Sequence, residues 1–230
     1  MIEKLMRKNR ADSDDRLAKK SLHETPKKPW YREWTEALVV AFIIAMILRT
    51  LVVQAFKIPS GSMEDTLLIG DHLLVNKFVY GTQVPFTDKR FLSIRDPERN
   101  DIIVFEFPRD EDLPFWKRRD FIKRIIGVPG DRIKMVDQVV YVNDEPYVIP
   151  QEVHKGAQGK GRSEIFNFSE RVVKPGHYFV MGDNRDRSHD SRFWGQVPEE
   201  NIKGLAFIKY WSWDSGNNWP RWKRIGGWIE

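Results

Sequence analysis

The chain has 230 residues, room for one sizeable domain with appended segments, and no Cys, which excludes disulfides, a thiol nucleophile and Cys-ligated zinc. Its five His are scattered without paired-ligand spacing, so neither a metal nor another cofactor is expected. The net charge of +5 is uneven: residues 1–36 carry ten Lys/Arg against seven Asp/Glu, and the rest is almost neutral. A nucleic-acid binder concentrates basic charge on its folded body, so nucleic acid is excluded as a partner.

Residues 1–29 are polar and charged, closed by Pro26 and Pro29, and read as a mostly disordered tail. Trp30, Tyr31 and Trp34 follow, a composition typical of a membrane–water interface. Ala37–Leu48 is then unbroken apolar sequence, too short as helix to cross a bilayer. Continued through Arg49 to Phe56, it reaches spanning length, and Arg49 lies off centre, where its stem snorkels. The expectation is a basic tail over 1–36 and one transmembrane helix over 37–56. Val53-Gln54-Ala55 also admits a cleavable signal peptide, but the preceding 36 residues are long for an n-region. Lys19, Lys20, Lys27, Lys28 and Arg32 precede the run and Lys57 alone follows closely, so the N-terminus is expected in the cytoplasm. The 57–230 body then lies on the outer face of the cytoplasmic membrane.

Directly after the run comes Ile58–Leu68, IPSGSMEDTLL. Pro59 and Gly61 suit a sharp turn that would project a Ser hydroxyl while backbone N–H groups face a developing oxyanion. An isolated Ser-Gly-Ser is more often a loop entering a strand. The body beyond it is predicted to be mainly β, with HLLVNKFVY, DIIVFEF, FIKRIIGV, QVVYVN, HYFVMGD and GLAFIKYW as strands. VVYVNDEPYVI predicts a hairpin turning at Asn143-Asp144. Residues 151–170, Gly- and charge-rich, read as an excursion or minor subdomain. Near the end, Trp211, Trp213, Trp219, Trp222 and Trp228 alternate with Lys209, Arg221, Lys223 and Arg224, the composition of a phospholipid contact or of a Trp-filled β core.

A nucleophilic Ser needs a base, and a desolvated Lys serves, because burial disfavours the ammonium. In FIKRIIGVPGD, strand alternation puts Lys123 with Phe121 and Ile125, and Arg124 with Ile122 and Ile126. Taken alone, a strand lysine is more often surface decoration. The third polar stretch, Gly182–Gly195 (GDNRDRSHDSRFWG), lies between apolar flanks and suggests a hydrogen-bonded network in which Asp183, Asp186, Asp190, Arg185, Arg187 and Arg192 pair mutually.

Jointly, Ser-Gly-Ser-Met after an apolar run, Lys-Arg before Gly-Val-Pro-Gly-Asp, and Gly-Asp-Asn-Arg-Asp-x-Ser-x-Asp-Ser-Arg resemble bacterial type I signal peptidase from about Trp34 to Tyr210. The resemblance implies a membrane-anchored β catalytic core with a smaller β subdomain. It implies Ser62 as nucleophile, Lys123 as general base, and an oxyanion hole from the Ser62 N–H and Ser60 hydroxyl. Ser188 would orient the Lys123 amine, Asp190 and Arg192 would brace the site, and Asp183 and Asn184 would stand behind them. The implied substrates are exported precursors bearing signal peptides. One departure is Asp65, where the family commonly has Pro. Two other readings stay open: a non-catalytic anchored β-domain, and a Ser-His-Asp hydrolase using His189 or His72.

Overall fold

The computed structural model describes residues 29–51, 53–83, 90–91, 93–153 and 167–229. Residues 1–28 of the expected 1–36 tail and most of the expected excursion, 154–166, lie outside the described residues. The chain divides into two units, Met1–Met46 and Ile47–Glu230, and the second holds the sheets.

Helix α1 covers Trp30–Leu51. It starts at Pro29, whose carbonyl accepts from Arg32 N–H, with Glu33 in the first turn where the helix dipole favours an acid. The expected 37–56 span is therefore corrected at both ends. Trp30–Glu36, assigned to the tail, is helical, and Val53–Phe56, assigned to the span, belongs to strand β1 (Val53–Lys57). The physical reason is a pairing partner: Val53–Lys57 runs antiparallel to residues 72–76, and Phe56 packs on the core. Among the described residues no helix is long and apolar enough to cross a membrane. The apolar side chains of α1 from Leu38 to Met46 are nonetheless exposed.

After β1, the strands in chain order are β2 (Asp71–Asn76), β3 (Thr82–Gln83), β4 (Arg90–Phe91), β5 (Ile102–Glu106) and β6 (Asp120–Gly127). Then come β7 (Arg132–Val136), β8 (Val139–Val142), β9 (Glu145–Pro146), β10 (Phe168–Val172) and β11 (His177–Met181). A four-residue helix α2 (Ser191–Trp194) precedes β12 (Val197–Pro198), β13 (Ile202–Asp214), β14 (Trp219–Pro220) and β15 (Gly227–Trp228). The large sheet runs β1-β2-β13-β5-β6-β11-β12, with β14 and β15 also on β13. A smaller sheet runs β10-β7-β8-β9, and β3 pairs with β4 alone.

The core lies on both faces of the large sheet. Along β5, Ile102 and Val104 pack with Ile58, Met63, Leu67 and Leu73, whereas Ile103 and Phe105 pack with Ile125, Val180 and Trp194. A strand buried on both faces needs apolar residues at every position, which is why β5 lacks polar alternation. The small sheet closes a third cluster, in which Ile133, Met135, Val140 and Val142 meet Ile126, Phe179 and Met181. Its β8–β9 hairpin turns at Asn143 and Asp144, both at positive φ (53° and 71°), as a two-residue primed turn requires.

Candidate active site

Three segments converge. The first is the turn that leaves β1: Ile58 N–H donates to Asp71 O, anchoring the chain before Pro59, and Glu64 N–H donates to Gly61 O to close the turn. Ser62 rides on that turn and is 7% exposed, while Ser60 is exposed. Met63 and Leu67, which follow Ser62, plug into the core.

The second is β6. Register with β5 sets Ile103 opposite Lys123 and Ile102 opposite Arg124, so the two adjacent basic side chains leave opposite faces of the strand. Lys123 is 4% exposed, and its Nζ lies 2.7 Å from Ser62 Oγ and 2.9 Å from Ile122 O. Burial pushes the lysine pKa down to about 8; Asp190 and Asp183 pull it up, and Arg192 adds to the depression. An amine with that pKa carries a sizeable neutral fraction near neutral pH, as a general base must.

The third is the Gly182–Gly195 loop, and its pairing is only partly internal. Asp190 is fully buried and caps α2, accepting from Gly182 N–H and from Arg192 Nε and Nη2. Burial raises the Asp190 pKa, but Arg192 outweighs it, so the carboxyl titrates below its ordinary range. Asp183 pairs with Arg124 of β6, and Arg185 with Glu152 at 3.0 Å, both outside the loop. Asn184 N–H donates to Ser62 O, and its side-chain Nδ2 donates to Gly61 O and Glu64 Oε2, each at 3.1–3.2 Å. The loop therefore grips the Ser62 turn directly. Gly182 is what lets it approach: a Cβ there would stand 2.4 Å from Ser62 O and 2.3 Å from Ser188 Oγ.

These contacts join Ser62, Lys123, Asp183, Asn184, Asp190 and Arg192, while Ser60 lies exposed on the turn. Ser188 is buried beside Gly182, but its hydroxyl helps hold the Asp190 carboxyl low and makes no hydrogen bond to the Lys123 amine, which is held instead by Ser62 and the Ile122 carbonyl. Neither histidine joins the cluster: His72 packs edge-on against Tyr210 and His189 against Phe193.

Two supports were missed in the sequence. Arg124, read only as the neighbour of Lys123, is 2% exposed and anchors Asp183, which also accepts from Thr66 Oγ1 at 2.6 Å. Arg224, read as a lipid-facing cation, turns inward to Asp71 and the Thr66 carbonyl, while Arg221 holds the carbonyls of Ile69 and Trp213. Asp71 is fully buried; burial raises its pKa, and Arg224 with Ser212 brings it below the ordinary value. Trp219, Trp222 and Trp228 are 62–68% exposed, whereas Trp211 and Trp213 are half-buried.

Comparison with known proteins gives the chain's family. The model of the family described as "Signal peptidase, peptidase S26" matches residues 31–211. A signal peptidase I of Pseudomonas fluorescens is 34% identical, covering 87% of this chain and 80% of its own. That of Pseudomonas aeruginosa is 34% identical over 89% and 82%. A probable signal peptidase I-2 of Synechocystis is 36% identical over 82% and 77%. With the match spanning all three converging segments, the chain belongs to the signal peptidase family of peptidases, S26, and is a serine endopeptidase.

Proposed function

We propose that the protein removes N-terminal signal peptides from exported precursors by a Ser/Lys dyad. The observation that carries this reading is the 2.7 Å contact between the buried Lys123 amine and the buried Ser62 hydroxyl. Neutral Lys123 takes the Ser62 proton as Oγ bonds to the scissile carbonyl carbon. The oxyanion that forms is met by the Ser62 N–H, which donates to no other group among the described residues, and by the exposed Ser60 hydroxyl. Lys123 then returns the proton to the leaving amine as the C–N bond breaks, giving an acyl-enzyme and the mature protein. Water, deprotonated by the same amine, adds to the ester and releases the signal peptide with Ser62 reprotonated.

Substrate alignment has a natural seat. Among the described residues β1 is an edge strand, paired with β2 alone, and it leads straight into the Ser62 turn, so its outer edge suits an extended peptide. Lipid is the expected second partner. The exposed Leu38, Val39, Phe42, Ile43 and Met46 of α1, and the exposed Trp219, Trp222 and Trp228, support contact with a phospholipid membrane. The excess of Lys and Arg before α1 favours a cytoplasmic N-terminus and a catalytic body on the outer face.

The test is cleavage of a secretory precursor by detergent-solubilised protein beside Ser62→Ala and Lys123→Ala. Cleavage after a small-x-small site that vanishes in both variants, with their folds intact, is the expected result. Survival of cleavage in Lys123→Ala would assign the base elsewhere.

A further inference from the structure

We infer that Glu64 is a positioning residue that aims the oxyanion-hole donor of Ser62 by way of Asn184; the inference rests on the Ser/Lys reading above. Gly61 C=O and Ser62 N–H belong to the same trans planar group and point in opposite directions. Whatever fixes the carbonyl therefore fixes the direction of the N–H.

Two donors hold that carbonyl: the Glu64 N–H at 3.2 Å and Asn184 Nδ2 at 3.1 Å. The backbone donor is part of the turn itself. The second comes from a fully buried side chain on a different loop, 123 residues away in sequence, whose backbone N–H also holds the Ser62 carbonyl. Asn184 thus clamps the carbonyls on both sides of Ser62.

A primary amide holds a carbonyl only with its NH2 end toward it. Turned over, Asn184 would set Oδ1 against Gly61 O, acceptor facing acceptor. Glu64 decides between the two orientations: its Oε2 accepts the other Nδ2 hydrogen at 3.1 Å, and a carboxylate there repels the flipped amide. The Asn184 Oδ1 is buried with no hydrogen-bond partner, so nothing at that end of the amide contributes to the choice. The Glu64 carboxylate lies two residues beyond Ser62 in the chain and acts on the Ser62 N–H through this relay.

The test is steady-state cleavage of a signal-peptide substrate by the full chain and by Glu64→Leu, Glu64→Lys and Glu64→Gln. Leu removes the acceptor, Lys replaces it with a donor, and Gln keeps an acceptor oxygen without charge. Loss of a whole oxyanion donor costs roughly 10²–10³-fold in kcat, so a misaimed one is expected to cost about tenfold in Glu64→Leu and more in Glu64→Lys. KM and the rising limb of the pH–rate profile should stay in place, and Glu64→Gln should recover most of the rate. A loss in KM instead of kcat, a displaced pH limb, or an equal loss in Glu64→Gln would overturn the inference while leaving the dyad standing. Absence of cleavage by the unsubstituted protein would remove the dyad reading and this inference with it.

Discussion

Arg124 holds Asp183 with both ends of its guanidinium, Nε to Oδ1 at 2.9 Å and Nη2 to Oδ2 at 2.8 Å, and both residues are almost wholly buried. The pair joins β6 to the Gly182–Gly195 loop behind the Ser62–Lys123 contact. Thr66 donates to the same carboxylate, so the turn that carries Ser62 is tied into one network with the other two segments.

Removing one partner of a buried ion pair strands the other. Arg124→Met should therefore destabilise the fold by about 3–5 kcal/mol, read as a lowered urea midpoint at unchanged slope. Arg124→Lys should recover little, because an ammonium cannot make the two-pronged contact. A variant as stable as the parent would mean that Asp183 finds another cation.

The pH dependence follows from Lys123. Its pKa is lowered to about 8 by burial, and the proposed dyad works through the neutral amine, so kcat/KM should rise with pH and level off above about 8. Stability has the same sign. Between pH 8 and about 10.4 the unfolded lysine is protonated and the folded one is not, so the unfolded chain binds more protons and stability increases with pH across that window. Lys123→Met should accordingly be inactive yet more stable below pH 8, by up to about 3 kcal/mol at 1.36 kcal/mol per unit, with the gain fading toward pH 10. Paired thermal melts at pH 7 and pH 10 measure it.

Gly182→Ala tests the close approach of the loop. The added methyl would meet the Ser62 carbonyl at 2.4 Å, a backbone atom that cannot step aside without moving the nucleophile. The expected outcome is loss of at least about tenfold in kcat, with a destabilisation of about 1–3 kcal/mol from overpacking. Full activity in this variant would mean that the loop has slack.

Asp65 has φ of 79° and is exposed. Proline is confined to φ near −65°, so the family's usual Pro does not fit this backbone, and Asp65→Pro should cost about 3 kcal/mol or force a different turn. Asp65→Gly should be neutral or slightly stabilising, because glycine takes positive φ without strain. Chemical denaturation of the two variants separates them.

How much of this was legible in the sequence depended on the range of the interaction. Alternation along FIKRIIGV placed Lys123 and Arg124 on opposite faces, and Asn143-Asp144 announced its hairpin, because both are set by adjacent residues. Val53–Phe56 was misassigned because VQAF is as apolar as the helix before it; what makes it a strand is β2, whose partner surface lies some twenty residues downstream. Asp183 invited pairing with the arginines beside it, yet its partner is 59 residues away, chosen by the meeting of two faces. Arg221 and Arg224 carry the composition of a lipid contact and spend their donors on Asp71, Thr66, Ile69 and Trp213 instead.

That last assignment bears on what happens when the chain is shortened from its C-terminal side. Arg224 spans 158 residues to reach the Thr66 carbonyl, four positions from the nucleophile, and shares Asp71 with Arg221. A polypeptide clipped before Trp219 keeps every residue of the dyad, the loop and both sheets' main strands. It nonetheless leaves Asp71, at 0% exposure, with the Ser212 hydroxyl and a backbone N–H but neither guanidinium. Proteolysis or early termination at that distant end is therefore expected to be felt as a loosened seat under Ser62.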